Sequence, residues 1–212
     1  MDTHHLETAR TGRFHTLGDT ARAREVWFLL HGYGQTAADF LAGCVELASP
    51  QRLLVAPEAL SRFYLRAGRG QVGASWMTRE DRQHEIADTL GWLDRVATEL
   101  DDPARPRMHA VVGFSQGAAA ACRWAALGHT RIDRLVLWGG GVPPDLDLGH
   151  AQGRLRAMRV HLVRGHADEA WDEQHLLDDC RRLAEHGIAH DSHPFDGGHE
   201  VQGLVLRHLA DA

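Results

Sequence analysis

Residues 109–127 read His109-Ala-Val-Val-Gly113-Phe114-Ser115-Gln116-Gly117-Ala-Ala-Ala-Ala-Cys122-Arg-Trp-Ala-Ala-Leu127, an apolar run that breaks into a Gly-Phe-Ser-Gln-Gly turn and enters an alanine-rich helix. A serine hydroxyl is a weak nucleophile at its free pKa. It has to be lifted out of the backbone at a sharp strand-to-helix turn, where a base can reach it and a helix N-terminus faces the developing oxyanion. Gly113 and Gly117 suit such a turn because strand and helix pack tightly around it and Ser115 is forced into strained backbone angles. With 22 glycines in 212 residues, a Gly-x-Ser-x-Gly match arises by chance in about one such chain in twenty. The plain alternative is a glycine-rich turn whose serine only caps the helix, so the rest of the chain has to decide.

Around this stretch, short β-rich runs alternate with helical patterns, the layout of a mainly parallel sheet covered by helices on both faces. Strands are expected at Val26–Leu30, Leu53–Ala56, His109–Val112, Arg134–Trp138, Val160–Arg164 and Ala189–Phe195. Helices are expected at Ala37–Ala48, Arg82–Leu100, Gln116–Leu127, Glu173–His186 and Val201–Leu209, and Leu90, Leu93, Val96, Ala97 and Leu100 form an apolar stripe on the second. The segment Leu6–Leu17 reads as one or two edge strands. Residues 1–212, 43% apolar, are read as one α/β domain with a three-layer sandwich.

The net charge is −6 with no basic block, which argues against nucleic acid as a partner. No apolar run approaches a membrane span and the N-terminus lacks a leader pattern, so a soluble, cytoplasmic protein without a membrane anchor is expected. Cys44, Cys122 and Cys180 lie far apart, giving neither a disulfide framework nor a zinc ribbon. Sixteen histidines invite a metal reading, but His4-His5, His161, His166, His186, His190 and His193 show no ligand spacing such as His-Glu-x-x-His. No metal and no other cofactor is expected, and oligomeric state is not readable.

A nucleophilic Ser115 needs a base, a carboxylate to orient that base, and preorganised donors for the oxyanion. Gly165-His166-Ala167-Asp168 puts Asp168 on a loop at a strand's carboxyl end, and Asp196-Gly197-Gly198-His199 puts His199 on a turn before the last helix. The order Ser, Asp, His is that of α/β-hydrolases. Asp172, Asp145 and Asp147 are rivals for the acid, and His190 and His193 for the base, although the two histidines lie inside a strand. Oxyanion donors are expected from the backbone N–H groups of Gln116 and of Tyr33, the latter in Leu30-His31-Gly32-Tyr33-Gly34-Gln35. His31 ends a strand ahead of the nucleophile and reads as a brace for that loop. The loop Ser61–Arg79 is the candidate for substrate selection: Phe63, Tyr64 and Trp76 would cover an acyl chain while Arg66 or Arg69 reads an anionic group. The competing reading is a surface loop with solvated arginines.

These four ordered motifs resemble the phospholipase/carboxylesterase branch of the α/β-hydrolases, which includes acyl-protein thioesterases. The likeness runs from about residue 26 to 210. It implies a compact hydrolase without a large cap domain that cleaves small-molecule carboxylic esters or thioesters through an acyl-serine, with Ser115 as nucleophile, His199 as base, Asp168 as acid, and the Tyr33 and Gln116 amides as the oxyanion hole. The chain departs from the usual pattern at Tyr33, at Gln35 and at Glu169-Ala170-Trp171, where Trp171 either lines the site or sits at a helix start. Amide or peptide cleavage by the same residues, and a non-catalytic relative that only binds a ligand, are the competing functions.

Overall fold

The computed structural model describes residues 1–66 and 70–212; Arg69 lies outside them. Seven strands form one sheet in the order β1-β3-β2-β6-β7-β8-β9. In chain order these are β1 (Phe14–Leu17), β2 (Glu25–Leu30), β3 (Arg52–Pro57), β6 (Met108–Phe114), β7 (Arg134–Trp138), β8 (Arg159–Gly165) and β9 (His190–Phe195). Only β1 runs antiparallel, beside β3 at one edge; the other pairings are parallel. The segment 6–17 therefore supplies one edge strand. A second, two-stranded sheet pairs β4 (Ser61–Tyr64) with β5 (Val72–Ser75), so the segment expected to be a loop carries a hairpin.

The helices are α1 (Ala37–Gly43), α2 (Arg82–Leu100), α3 (Gln116–Leu127), α4 (Leu148–Leu155), α5 (Glu173–Glu185) and α6 (Gly203–Asp211). Helix α1 is shorter than its sequence pattern and is continued by a 3-10 turn at Val45–Leu47. The helix α4 was not expected. It has two glycines in eight residues and is started by Asp147, whose side chain accepts the His150 N–H.

Strand side chains alternate between two cores, as a pleated strand buried on both faces requires. Phe28, Val111, Leu135 and Leu162 belong to the layer under α2, α3 and α4, where Leu93, Trp124 and Leu155 join them. Trp27, Val112, Val136 and Val163 face the opposite layer, which includes Phe40 of α1 and Leu206 of α6. Fully burying one such large apolar side chain is worth about 1.5–3 kcal/mol, so these two rows hold the strands in register. Among the described residues, no helix is long and apolar enough to cross a membrane.

The carboxyl ends of β2, β6, β7, β8 and β9 all point the same way. Those of β2, β6, β8 and β9 are each followed by one of the segments singled out in the sequence.

Candidate active site

Between β6 and α3 the backbone of Ser115 adopts φ 54°, ψ −117°, a conformation costly for a side chain-bearing residue. The surroundings enforce it. A Cβ on Gly117 would overlap the Leu30 carbonyl, and one on Gly113 would overlap the Gly117 carbonyl, so strand and helix touch backbone to backbone. Ser115 N–H also donates to Trp138 O at 2.9 Å, which ties the turn to β7.

Ser115, His199 and Asp168 come together in one chain of hydrogen bonds. Ser115 Oγ lies 2.9 Å from His199 Nε2, and His199 Nδ1 lies 2.9 Å from Asp168 Oδ2. The other oxygen of Asp168 accepts the backbone N–H groups of Ala170 and Trp171, both at 2.9 Å. With its side chain only 1% exposed, the carboxylate is held in a single orientation. It fixes the imidazole proton on Nδ1 and leaves Nε2 free to receive one. The two supporting loops are laced to each other: His166 N–H donates to Phe195 O and Ala167 N–H to Gly197 O, each at 2.9 Å. Trp138 Nε1–H holds Glu200 O at 2.8 Å, and the Phe114 ring lies 4.9 Å from the His199 ring.

The rival acids are occupied elsewhere. Asp172 and Asp147 accept helix-start N–H groups, and Asp145 pairs with Arg82 and Arg123. Neither His190 nor His193 approaches Ser115; His190 Nδ1 faces Ile188 O and His193 faces His161.

The turn after β2 is braced from several sides. His31 is fully buried; its Nδ1 faces Gly32 O at 2.8 Å and its Nε2 accepts the Ala59 N–H at 3.2 Å. Those partners require the neutral ring with its proton on Nδ1. Burial pushes the imidazole below the ordinary histidine range, outweighing the Gly32 bond and the charge of Glu58. Gly32 N–H donates to Gln35 Oε1 at 2.7 Å. Gly34 N–H donates to Ala74 O and Ala74 N–H to Gln35 O, both at 3.0 Å, so strand β5 is stitched to this turn, and Gly73 approaches so closely that a Cβ there would overlap the Gly34 carbonyl. Among the described residues, neither the Tyr33 nor the Gln116 N–H meets a protein acceptor.

The proposed substrate residues divide. Tyr33, 62% exposed, packs at a tilt against Phe63 with ring centroids 5.1 Å apart, and Tyr64 and Arg66 are exposed on the same hairpin. Trp76 is buried instead: its Nε1–H donates to His31 O at 2.8 Å and its ring packs on His31. Trp171 is also buried, its side chain in the core beside Gly141, and its backbone N–H is what reaches Asp168.

Two anchoring residues escaped the sequence reading. Glu58, 2% exposed, accepts two bonds from Arg13 and one from Ala37 N–H at the start of α1. Burial pushes its carboxyl up, but the Arg13 bond and the Ala37 N–H overcome that, and it ends below the usual carboxylate range. Asp179 accepts Val142 N–H at 2.9 Å, and Arg182 bonds the carbonyls of Val142 and Pro143. Together they pin the Gly139–Pro143 turn next to His199. Neither residue lies in a recognisable motif, and only the buried charge marks them.

No protein-family model and no curated relative matches the sequence. Solved structures do resemble the fold. A phospholipase/carboxylesterase from Dyadobacter fermentans shares 20% identity with a TM-score of 0.69 over 97% of this chain and 99% of its own. A carboxylesterase from Mesorhizobium loti shares 20% at 0.73 over 95% of each chain. Acyl-protein thioesterase 2 from Zea mays shares 21% at 0.74 over 95% of this chain and 97% of its own. The architecture is the α/β-hydrolase sandwich.

Proposed function

We propose that the protein is a serine hydrolase that cleaves carboxylic esters, thioesters included, through an acyl-serine. One observation carries this reading: Ser115 Oγ, His199 and a buried Asp168 form a continuous hydrogen-bonded chain, while among the described residues the Tyr33 and Gln116 N–H groups meet no protein acceptor.

Ser115 Oγ attacks the acyl carbon as its proton passes to His199 Nε2. The imidazolium is stabilised by Asp168, and the carbonyl oxygen takes up negative charge facing the Tyr33 and Gln116 N–H groups. Such preorganised donors contribute about 3–4 kcal/mol each to acyl transfer. Collapse expels the alcohol or thiol, which takes the proton from Nε2. A water molecule then attacks the acyl-serine, with His199 again accepting the proton, and the acid leaves. Fold-level likeness to carboxylesterases and an acyl-protein thioesterase supports the substrate class by analogy. On the substrate side, Tyr33, Phe63 and Tyr64 are the candidates for apolar contact with the acyl chain, and Arg66 is the candidate for meeting an anionic substituent. Trp76 acts beneath them as a brace for His31, and Trp171 acts through its backbone.

Labelling with a fluorophosphonate followed by peptide mapping tests the proposal. The label is expected on Ser115, with loss of p-nitrophenyl ester hydrolysis by about 10⁴-fold or more in Ser115→Ala. Labelling at another residue, or full turnover by Ser115→Ala, would overturn it.

A further inference from the structure

Strands β8 and β9 run parallel at the sheet edge, and their register sets His161 beside Asp191. Side chains two residues apart share a face, so His193 stands on that face as well. His161 Nδ1 lies 3.0 Å from His193 Nε2 and 3.9 Å from Asp191 Oδ2, and one ligand atom from each of the three falls within 4.8 Å of the others. None of these residues takes part in the chemistry at Ser115.

We propose that His161, His193 and Asp191 bind a borderline divalent transition ion of the zinc class, which clips the edge strand β9 to β8. Zinc takes imidazole nitrogen at about 2.0–2.1 Å and carboxylate oxygen at about 2.0–2.2 Å in a tetrahedron, so its ligand atoms stand roughly 3.2–3.6 Å apart. The distances here bracket that range. Two nitrogens and one carboxylate suit zinc, copper or nickel. They do not suit magnesium or calcium, which need a shell of oxygens.

Metal binding requires each imidazole to offer an unprotonated nitrogen. Opposing terms limit the affinity. Arg134 and Arg159 lie near His161 and His208 lies near His193, although Arg134 is bonded to the Leu209 and Ala210 carbonyls. Metal on Nδ1 also leaves the proton on His161 Nε2, which is buried and meets no protein acceptor among the described residues. Since an absent outer partner weakens binding about 10–100-fold, a dissociation constant on the order of micromolar is expected. Strand β8 leads into the Asp168 loop and β9 into the His199 turn, so the ion would join the two strands that deliver those side chains.

Isothermal titration of the EDTA-stripped full chain with Zn²⁺, with melting followed in parallel, tests this. One ion per chain and a zinc-dependent rise in Tm are expected, with no such rise from Mg²⁺. Asp191→Asn and His193→Gln change partly exposed groups at the sheet edge, and each should weaken zinc binding at least about tenfold and abolish the Tm rise. The stacked pair His5 and His84, with Asp81 3.1 Å from His5, is the competing location. There, His5→Gln combined with His84→Gln should leave zinc affinity unchanged. No zinc binding by the parent chain, unchanged affinity in both β9 variants, or loss of binding in the His5/His84 variant would each overturn the proposal.

Discussion

Gln116 accepts the backbone N–H of Trp76 on its side-chain Oε1 at 3.0 Å. Its Nε2 donates to Met77 O at 2.8 Å and to Ser75 Oγ at 3.1 Å. The residue whose backbone N–H is proposed as an oxyanion donor is thus clamped by its own side chain to the end of β5. Gln116→Ala removes the clamp while keeping the backbone donor. We expect kcat for p-nitrophenyl esters to fall about 10–100-fold, because small misplacements of a preorganised donor are costly, with Tm little changed. Wild-type turnover in this variant would show that the clamp does not position the amide.

Gly139 sits at φ +56°, and a Cβ there would lie 3.2 Å from Asp168 Oδ2 and from His199 Nδ1 and Cε1. Gly139→Ala should destabilise by about 1–3 kcal/mol through backbone strain and reduce turnover by pressing on the imidazole. In contrast, a Cβ on Gly91, inside α2, meets nothing within 4 Å. Gly91→Ala should stabilise by about 0.5–1 kcal/mol with activity unchanged. Urea unfolding and steady-state kinetics on the pair separate crowding at the site from a general response to alanine.

Asp94 gathers Trp124 Nε1–H, His129 N–H, Thr130 N–H and the Thr130 hydroxyl, at 2.8–3.0 Å. Burial works against its charged form, but these donors prevail and lower its pKa from 3.8 to about 2. As pH falls, the unfolded chain takes up this proton first. The stabilisation is therefore complete above about pH 4 and is lost progressively as pH drops toward 2. Asp94→Ala should cost about 2–3 kcal/mol at neutral pH, the scale of losing charge-assisted bonds to buried donors. The gap to wild type should close in urea titrations repeated at pH 3 and below; a gap that stayed constant would refute the linkage.

Burial pushes the Cys44 and Cys122 thiols up to about 12, and Cys180 is raised as well. Since the thiolate is the reactive species, the native chain should react slowly with a chromogenic disulfide at pH 8. All three thiols should titrate promptly in guanidinium. Fast reaction of Cys44 or Cys122 in the native state would contradict its burial.

The long elements were legible because their patterns are dense. The stripe from Leu90 to Leu100 bounded α2, and Arg134–Trp138 bounded β7 to the residue. Ser115, Asp168 and His199 could be ordered because each follows a strand at a glycine-rich turn. The hairpin β4–β5 was not legible, since four-residue strands of alternating exposure among arginines look like a loop. Trp76 read as a cover for an acyl chain; its burial against His31 depends on which side of the turn faces the core, which the sequence does not reveal. His161 and His193 are 32 positions apart, and only the parallel register of β8 with β9 makes them neighbours.

The reciprocal bonds between Ala74 and the Gly34–Gln35 turn have a kinetic consequence. Those bonds tie the strand that carries the aromatic hairpin to the turn that carries Tyr33, so under the proposed function a substrate group that tilts the hairpin would also tilt the proposed oxyanion donor. Binding energy gathered far from the scissile bond is then expressed in the rate of acylation more than in ground-state affinity. Discrimination among acyl chains should accordingly appear in kcat across a substrate series, with KM comparatively flat.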